Sequence, residues 1–319
     1  MARVDDMSPT RTLTVSVPER WMQESIGDVP GADVVVWDVT GPAPQDLADR
    51  LEAVVLPYAR GYDGEVVRAL PHLATVLTTT TGYDGVAEKV GDGPAIVTAA
   101  GVHAAATAEL AVALVLASLR GIDVAARDQA QERWRPQRRR SLADRRVLLV
   151  GVGGIGEQIA RRLDPFEVTL TRVASHARTD ERGPVHGTDE LIDLAADHDV
   201  LIAITPLSEQ THHLVDARVL AALPDDALVV NVGRGAVVDT EALTAEVTAG
   251  RLHAALDVVD PEPLPAGHPL WSAPNALITP HVGGNASAFE PRIVEHLRRT
   301  FGELARGEEP ATLVRRASH

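Results

Sequence analysis

A glycine-rich loop between a predicted strand and a predicted helix constrains the fold more than any other feature of the chain. Residues 147–163 read VLLVGVGGIGEQIARRL, in which an apolar run leads into G-x-G-x-x-G and then into an amphipathic helical pattern. An isolated G-x-G-x-x-G is weak evidence, but the strand before it and the helix after it supply the context that a dinucleotide-binding loop requires. The glycines permit a tight turn, close backbone approach to a pyrophosphate and close helix packing, and the helix N-terminus favours phosphate. The predicted cofactor-binding residues of this loop are Gly151, Gly153, Gly154, Ile155 and Gly156.

Similar strand and helix patterns recur along the whole chain. Five apolar, β-branched runs lie in the first hundred residues, and six more lie between residues 147 and 281, with helix-like intervals between them. Continuous apolar strands separated by helices predict parallel sheets that are covered on both faces. Because 319 residues are too many for one ordinary core, we expect two doubly wound α/β domains. A helical pattern over 287–305 is expected to return to the first domain.

Composition excludes several classes of function. The net charge of −15 argues against nucleic acid as a partner, because most of the surface would repel a phosphate backbone. The chain has no cysteine, and the adjacent His212 and His213 have no further ligand at suitable spacing, so we expect neither disulfides nor a metal site. The N-terminus has no apolar signal core, and the apolar run 104–121 is short and charged for a membrane span. A cytoplasmic protein with no membrane partner is the expectation.

The end of the second strand of the glycine-loop series bears on the choice of cofactor. An NAD site expects an acidic residue there, about 20 residues after the glycines, to bind the ribose hydroxyls. Here the position falls at or near Ala174, and no carboxylate occurs between Glu167 and Asp180. The residues around this gap that can bind a 2′-phosphate are Arg172, Ser175, His176 and Arg178. The alternative is a surface loop whose arginines contact only water. The sequence favours NADP(H), with NAD(H) possible.

Polar side chains follow three strands of the second half. Arg234 lies in NVGRG, Asp257 and Glu262 in LDVVDPEPLP, and His281 in ITPHVGG. Because ligands of doubly wound sheets bind outside the carboxyl ends of the strands, we expect these loops to converge. Reduction of a 2-keto acid needs a cation for the carboxylate and a proton for the oxygen, which an arginine and a carboxylate-paired histidine can supply. Taken singly, each residue has a simpler interpretation: a solvated arginine, a loop charge and a histidine in a turn.

Together the motifs GVGGIG, TPLSEQTHHLVD, NVGRGAVVD, LDVVDPEPLP and TPHVGG resemble those of the D-isomer-specific 2-hydroxyacid dehydrogenase family over nearly the whole chain. The resemblance implies a catalytic set of Arg234, Glu262 and His281. It also implies a cofactor cleft lined by Thr205, Pro206, Val232, Asp257, His281 and Gly283. It further implies a flavodoxin-like substrate domain over 1–100 and 286–319, a Rossmann dinucleotide-binding domain over 101–285, and a homodimer built with the helix near 104–121.

Two departures from the commonest family pattern bear on specificity. Ala174 replaces the acidic residue, as in NADPH-preferring glyoxylate and hydroxypyruvate reductases. In TTTTGYDGV (78–86), Tyr83 stands where a small aliphatic residue is more usual. By the resemblance, the predicted substrate-binding residues are Thr81, Gly82, Tyr83, Arg234 and His281, and Tyr58 and Tyr83 either shape the pocket or pack between the domains.

The expected activity is hydride transfer between NADPH, or NADH, and a small 2-keto or D-2-hydroxy acid, with glyoxylate and hydroxypyruvate as the first candidates. Two alternatives stay open at this point: a phosphoglycerate dehydrogenase-like enzyme, and a nucleotide-sensing binding protein like the co-repressors that share this architecture.

Overall fold

The structure is a computed structural model that describes residues 12–58 and 60–317. The start of the chain, where the sequence predicts no export signal, lies outside the described residues as far as residue 11. The chain divides into two compact units: residues 1–103 with 287–319 form the first unit, and residues 104–286 form the second.

Strands and helices alternate through most of the chain. The described strands are β1 (Leu13–Val17), β2 (Ala32–Val36), β3 (Ala53–Val55), β4 (Thr75–Leu77), β5 (Ala95–Val97), β6 (Arg146–Val150), β7 (Thr169–Ala174), β8 (Arg178–Asp180), β9 (Gly183–Gly187), β10 (Val200–Ala203), β11 (Leu228–Asn231), β12 (His253–Leu256), β13 (Ala276–Ile278) and β14 (Leu313–Arg315). The described helices are α1 (Arg20–Ile26), α2 (Gln45–Ala48), α3 (Gly64–Arg68), α4 (Val86–Val90), α5 (Ala104–Arg120), α6 (Ile122–Gln129), α7 (Gly154–Leu163), α8 (Leu191–Ala195), α9 (Ala217–Ala222), α10 (Thr240–Thr248) and α11 (Phe289–Ala305).

The first unit is built on a six-stranded sheet in the order β2-β1-β3-β4-β5-β14. Its strands are parallel except β14, which pairs antiparallel with β5. Successive residues of a strand point to opposite faces, and β3 shows this clearly. Ala53 and Val55 pack with Ile293 of α11, while Val54 belongs to the core on the other face of the sheet. The return of α11 onto the first sheet is therefore explained by its apolar face.

The second unit is built on an eight-stranded sheet in the order β13-β12-β11-β10-β6-β7-β9-β8. Its strands are parallel except the edge strand β8. In β6, Val147 and Leu149 pack in the core that includes α5 and α7, whereas Leu148 and Val150 pack in the core that includes α9 and α10. All four side chains are fully buried, as expected for a parallel strand covered on both faces. The prediction of two doubly wound α/β sheets is confirmed.

The sequence analysis missed three strands, β8, β9 and β14. β8 is RTD with all three residues exposed, and β9 is GPVHG, so neither shows the apolar run that marks a buried strand. Within residues 12–58 and 60–317, no single helix is both long and apolar enough to cross a membrane. α5 and α6 taken together meet the length and composition test, but the two helices are bent by 68°.

Candidate active site

Five neighbouring strands of the second unit end at the same edge of the sheet. In sheet order these strands are β13, β12, β11, β10 and β6. The segments that follow them carry, in the same order, His281, Asp257 and Glu262, Arg234, Thr205, and the glycine-rich loop. Parallel pairing therefore brings together segments that lie far apart in the sequence.

The glycine-rich loop contains glycines that the fold requires and others, Gly153 and Gly154, whose Cβ positions are open. Gly151 has a φ of +111°, and a Cβ there would lie 2.8 Å from the carbonyl oxygen of Ile204. A Cβ on Gly156 would lie 2.0 Å from the carbonyl oxygen of Gly151. Gly153, by contrast, has a φ of −73° that any residue can adopt, and a Cβ there would meet nothing within 4 Å. Packing therefore does not explain Gly153, and the space over it leaves room for the close approach of a ligand.

A buried hydroxyl next to this loop also lacks a protein partner. Thr205 follows β10 and is 9% exposed, and its Oγ1 has no hydrogen-bond partner among the described residues. An unsatisfied buried hydroxyl costs free energy unless a ligand or water pairs with it. The open space over Gly153, the start of α7 at Gly154 and this hydroxyl fit a bound dinucleotide.

Of the four residues expected to surround a 2′-phosphate at the end of β7, three are exposed and Arg172 is not. Ser175, His176 and Arg178 are exposed, and Arg178 Nη1 donates to the carbonyl oxygen of His176 at 3.3 Å. Arg172 is instead buried, and its two terminal nitrogens donate to the carboxylate of Asp180 at 2.9 and 2.7 Å. The guanidinium of Arg172, which was expected to bind a 2′-phosphate, is thus engaged by Asp180 within the protein.

The loop that carries Arg234 is held by a residue that the sequence analysis missed. The side chain of Asn231, at the end of β11, is buried and donates to the carbonyl oxygen of Arg234 at 2.9 Å. Its Oδ1 accepts from the backbone N–H of Gly233 at 3.1 Å. A Cβ on Gly235 would lie 1.9 Å from the carbonyl oxygen of Val259, so only glycine fits between the two loops. The asparagine in NVGRG could have indicated this role, because a buried polar side chain at the end of a strand needs hydrogen-bond partners.

Glu262 and His281 form a hydrogen-bonded pair. His281 Nδ1 lies 2.8 Å from Glu262 Oε2, and the side chains are 52% and 37% exposed, respectively. The hydrogen bond to Glu262 raises the pKa of His281, although burial and Arg234 oppose the change. Burial tends to raise the pKa of Glu262, but the hydrogen bond and charge of His281 outweigh it and the pKa is lowered. The pair therefore favours an imidazolium beside a carboxylate.

Asp257 holds the turn that carries His281. Its carboxylate is 3% exposed and accepts from Thr279 Oγ1 at 2.6 Å and from the N–H groups of Val282 and Gly283 at 2.9 and 2.8 Å. The N–H of His281 donates to the carbonyl oxygen of Asp257 at 2.8 Å. His281 has a φ of +51°, an uncommon conformation for a residue other than glycine, and these bonds fix it. The carboxylate predicted to line the cofactor cleft is thus engaged in positioning the histidine.

Several other predicted residues make hydrogen bonds or stacking contacts within the second unit. The carbonyl oxygen of Pro206 accepts from Thr211 Oγ1 at 2.6 Å, and the buried Val232 donates its N–H to the carbonyl oxygen of Ala203 at 3.1 Å. His212 and His213 stack with ring centroids 4.0 Å apart. Among the described residues, no group of three or more His, Cys, Asp or Glu side chains is placed to hold a metal ion.

The predicted substrate loop of the first unit follows β4. Thr80 Oγ1 donates to the carbonyl oxygen of Gly82 at 2.6 Å, and Tyr83 is 45% exposed. Thr81 Oγ1 is a buried atom without a hydrogen-bond partner among the described residues. In the same unit Tyr58 stacks on Phe289 and His103, with ring centroids 4.5 and 5.4 Å apart, respectively.

Comparison with known proteins agrees with this geometry. Residues 112–283, more than half of the chain, match the family model "D-isomer specific 2-hydroxyacid dehydrogenase, NAD binding domain". A glyoxylate reductase of Thermofilum pendens is 32% identical over 263 residues, which are 79% of this chain and 78% of that protein. Glyoxylate/hydroxypyruvate reductase A of Arabidopsis thaliana is 31% identical over 79% of this chain and 82% of its own. The structure of an NADPH-dependent glyoxylate/hydroxypyruvate reductase from Sinorhizobium meliloti, in complex with NADP and malonate, covers 97% of this chain and all of its own, with a TM-score of 0.78 and 26% identity.

The chain belongs to the D-isomer specific 2-hydroxyacid dehydrogenase family. It is an NAD(P)-dependent oxidoreductase of small 2-keto and 2-hydroxy acids, and the resemblance inferred from its motifs is confirmed.

Proposed function

We propose that the protein is an NADPH-preferring reductase whose substrates are glyoxylate and hydroxypyruvate. The observation that carries the proposal is the 2.8 Å hydrogen bond between His281 and Glu262, formed at the sheet edge where Arg234 also lies. The curated relatives named glyoxylate reductase and glyoxylate/hydroxypyruvate reductase support the substrate class.

Arg234 is the proposed anchor for the substrate carboxylate. Its guanidinium is a planar fork of donors that matches a carboxylate, and its backbone is held by Asn231. The fixed positive charge also stabilises the negative charge that develops on the substrate oxygen. A substrate with a carboxylate next to the reacting carbonyl satisfies both requirements at once.

His281 is the proposed proton donor. Because Glu262 occupies Nδ1, the other ring nitrogen, Nε2, is the atom that gives its proton to the carbonyl oxygen of the substrate. A reduced nicotinamide held in the cleft would supply the hydride to the keto carbon. The carboxylate of Glu262 keeps the imidazole protonated before the transfer and fixes the orientation of the ring.

NADPH is the proposed preferred cofactor. The position that would be acidic in an NAD site is Ala174, and the exposed residues after it, Ser175 and Arg178, offer donors to a 2′-phosphate. The Sinorhizobium meliloti structure, described as NADPH-dependent and containing NADP, supports this choice. Gly151, Gly153, Gly154, Ile155 and Gly156 would hold the pyrophosphate, and Thr205, Pro206, Val232 and Gly283 would line the rest of the cleft.

The finer organisation of the enzyme also belongs to the proposal. Residues 1–100 with 286–319 would form the substrate domain and 101–285 the dinucleotide domain, with Thr81, Gly82 and Tyr83 contributing to substrate binding. The unpartnered hydroxyl of Thr81 supports a ligand at that loop.

A homodimer built on α5 is proposed as the assembly. The helix carries partly exposed apolar side chains at helical spacing: Ala106, Leu110, Ala113 and Ala117. Ala113→Glu places a charge in this row and is expected to convert a dimer into a monomer in sedimentation equilibrium. A wild-type chain that sediments as a monomer would overturn the assembly.

The deciding experiment follows the absorbance of the reduced nicotinamide. NADPH and, separately, NADH are mixed with the protein and with glyoxylate, hydroxypyruvate, pyruvate or phenylpyruvate. We expect oxidation of NADPH with glyoxylate and hydroxypyruvate at a higher kcat/KM than with the other acids or with NADH. A preference for NADH, or for phenylpyruvate, would overturn the cofactor or the substrate assignment, respectively. Cofactor binding without turnover of any of the four acids would favour a nucleotide sensor.

Gly153→Ala tests the cofactor loop independently of turnover. Since a Cβ at this position meets nothing within 4 Å, the thermal unfolding midpoint is expected to stay unchanged while the Kd for NADPH rises about tenfold or more. An unchanged Kd would mean that the loop does not contact the cofactor.

A further inference from the structure

Arg172 is a buried arginine whose guanidinium contacts two strands besides its own. It belongs to β7, yet its guanidinium bonds two other strands: Nη1 and Nη2 donate to Asp180 of β8 at 2.9 and 2.7 Å. Nη2 also donates to the carbonyl oxygens of Gly183 and Pro184, in β9, at 2.9 and 3.4 Å. The side chain of Arg172 is only 6% exposed. One buried cation therefore ties three strands together.

The hairpin formed by β8 and β9 pairs with β7 at Val173 and Ala174 only, and it buries few apolar side chains. β8 is a three-residue edge strand with every residue exposed, and Val185 is the buried apolar residue of β9. Short two-stranded hairpins are marginally stable without such support. A second arginine, Arg182 in the turn, bonds Glu157 and Asp164 at 2.8 and 3.0 Å, but these ion pairs are more exposed. An ion pair with one exposed partner adds little net stability, but the forked bond of the buried Arg172 to Asp180 restricts the geometry of the strands that it joins.

The geometry that Arg172 fixes is that of the segment 175–178. This segment connects β7 to β8 and is held at one end where Ala174 pairs with Gly187. At the other end it is held through Asp180. Alternate residues of a strand share a face, so the bond from Arg172 to Asp180 also determines the face on which Arg178 lies.

We infer that Arg172 and Asp180 are positioning residues for the choice of cofactor. They hold the segment 175–178 so that Ser175 and Arg178 present their donors to a 2′-phosphate, which Arg172 itself does not touch. The ion pair also neutralises a carboxylate two residues from Arg178 that would otherwise repel the phosphate. The inference rests on the proposed preference for NADPH.

Substitutions that preserve charge separate positioning from electrostatics. Arg172→Lys keeps the positive charge but removes the fork, and Asp180→Glu keeps the negative charge but moves the carboxylate by one methylene. Asp197→Glu is the matched control, because Asp197 pairs with Arg146 at 3.3 Å at the amino end of β6. Arg178→Ala removes the proposed direct contact with the 2′-phosphate. It is made both alone and in combination with Arg172→Lys.

Two measurements are made on each variant: the Kd values for NADPH and NADH by calorimetry, and amide hydrogen exchange of the cofactor-free protein. We expect Arg172→Lys and Asp180→Glu to weaken NADPH binding about three- to tenfold relative to NADH. Faster exchange over residues 175–187 should accompany this loss, and Asp197→Glu should change neither quantity. Arg172→Lys should have a smaller effect on the ratio of the two Kd values when Arg178 is already alanine, since only the contact of Ser175 then remains to be positioned.

The outcomes distinguish this inference from the proposed function. The NADPH assignment and this inference are overturned together if the wild-type protein prefers NADH and Arg178→Ala leaves the ratio of the Kd values for NADPH and NADH unchanged. A wild-type preference for NADPH that both Arg172→Lys and Asp180→Glu leave intact overturns only the positioning role. Independent, additive losses from Arg172→Lys and Arg178→Ala would show direct contact of Arg172 with the phosphate and would likewise overturn it.

Discussion

Replacement of Glu262 by glutamine tests the His281–Glu262 pair. The amide can still accept a hydrogen bond from Nδ1, so the orientation of the ring is kept while the negative charge is lost. A hydrogen bond between charged groups contributes about 1 kcal/mol more than a neutral one, and the lower end of the range applies because both side chains are partly exposed. That difference predicts about a fivefold loss of kcat/KM for keto-acid reduction at neutral pH.

The pH dependence of keto-acid reduction follows from the direction in which Glu262 shifts the pKa of His281. Glu262 raises the pKa of His281, so the imidazolium that donates the proton persists to a higher pH than an isolated histidine allows. Reduction is therefore retained below this raised pKa and lost as the pH rises through it. In Glu262→Gln the loss should set in at lower pH. Oxidation of the hydroxy acid, which needs neutral imidazole, should begin at lower pH in the variant.

The assay is kcat/KM for glyoxylate reduction between pH 5 and 10, with NADPH saturating. Glu190→Gln is a matched control, because Glu190 Oε2 lies 2.9 Å from His186 Nδ1 elsewhere in the second unit. The control should leave the alkaline limb unchanged. An alkaline limb that does not move in Glu262→Gln, or one that moves equally in the control, would refute the reasoning.

Three further substitutions test the supports of the site. Arg234→Lys keeps the charge but loses the planar fork, so KM for the keto acid should rise about ten- to a hundredfold while the calorimetric Kd for NADPH stays the same. The buried carboxylate of Asp257 accepts hydrogen bonds from two backbone N–H groups. Asp257→Asn replaces one of its two oxygens by an NH2 donor, which should lower the free energy of unfolding in urea by about 2–4 kcal/mol. Gly235→Ala forces a Cβ toward the carbonyl oxygen of Val259 and should lower the unfolding midpoint, whereas Gly93→Ala, where a Cβ meets nothing within 4 Å, should not.

The fold was predictable where strands are buried on both faces. The apolar runs near 147–153, 199–205 and 227–233 became β6, β10 and β11, although each run extended beyond the strand into the segment that carries the site. β8 and β9 were not predictable in this way. Apart from Val185 their residues are polar, glycine or proline. The hairpin also depends on a buried arginine eight residues before its partner Asp180, which no local pattern reveals.

The catalytic candidates were predictable from residue type, but their supports were not. An arginine between glycines and a histidine after a strand stand out in the sequence because such residues are rare in buried segments. The role of Asn231 depends on two hydrogen bonds to its own loop, and that of Asp257 on a turn that begins 22 residues later. The pairing of Arg172 with Asp180, near the expected phosphate position, was likewise not predictable from residue type.

The segment 257–262 connects all three catalytic candidates. Asp257 at its start holds the turn that carries His281. Val259 then contributes through both of its backbone groups: its N–H donates to Glu262 Oε1 at 3.2 Å, and its carbonyl oxygen lies where a Cβ on Gly235 would be, next to Arg234. A displacement of this segment would therefore move the proton donor, its carboxylate and the substrate anchor together. The geometry of the site thus depends on one segment that carries only one of the three side chains.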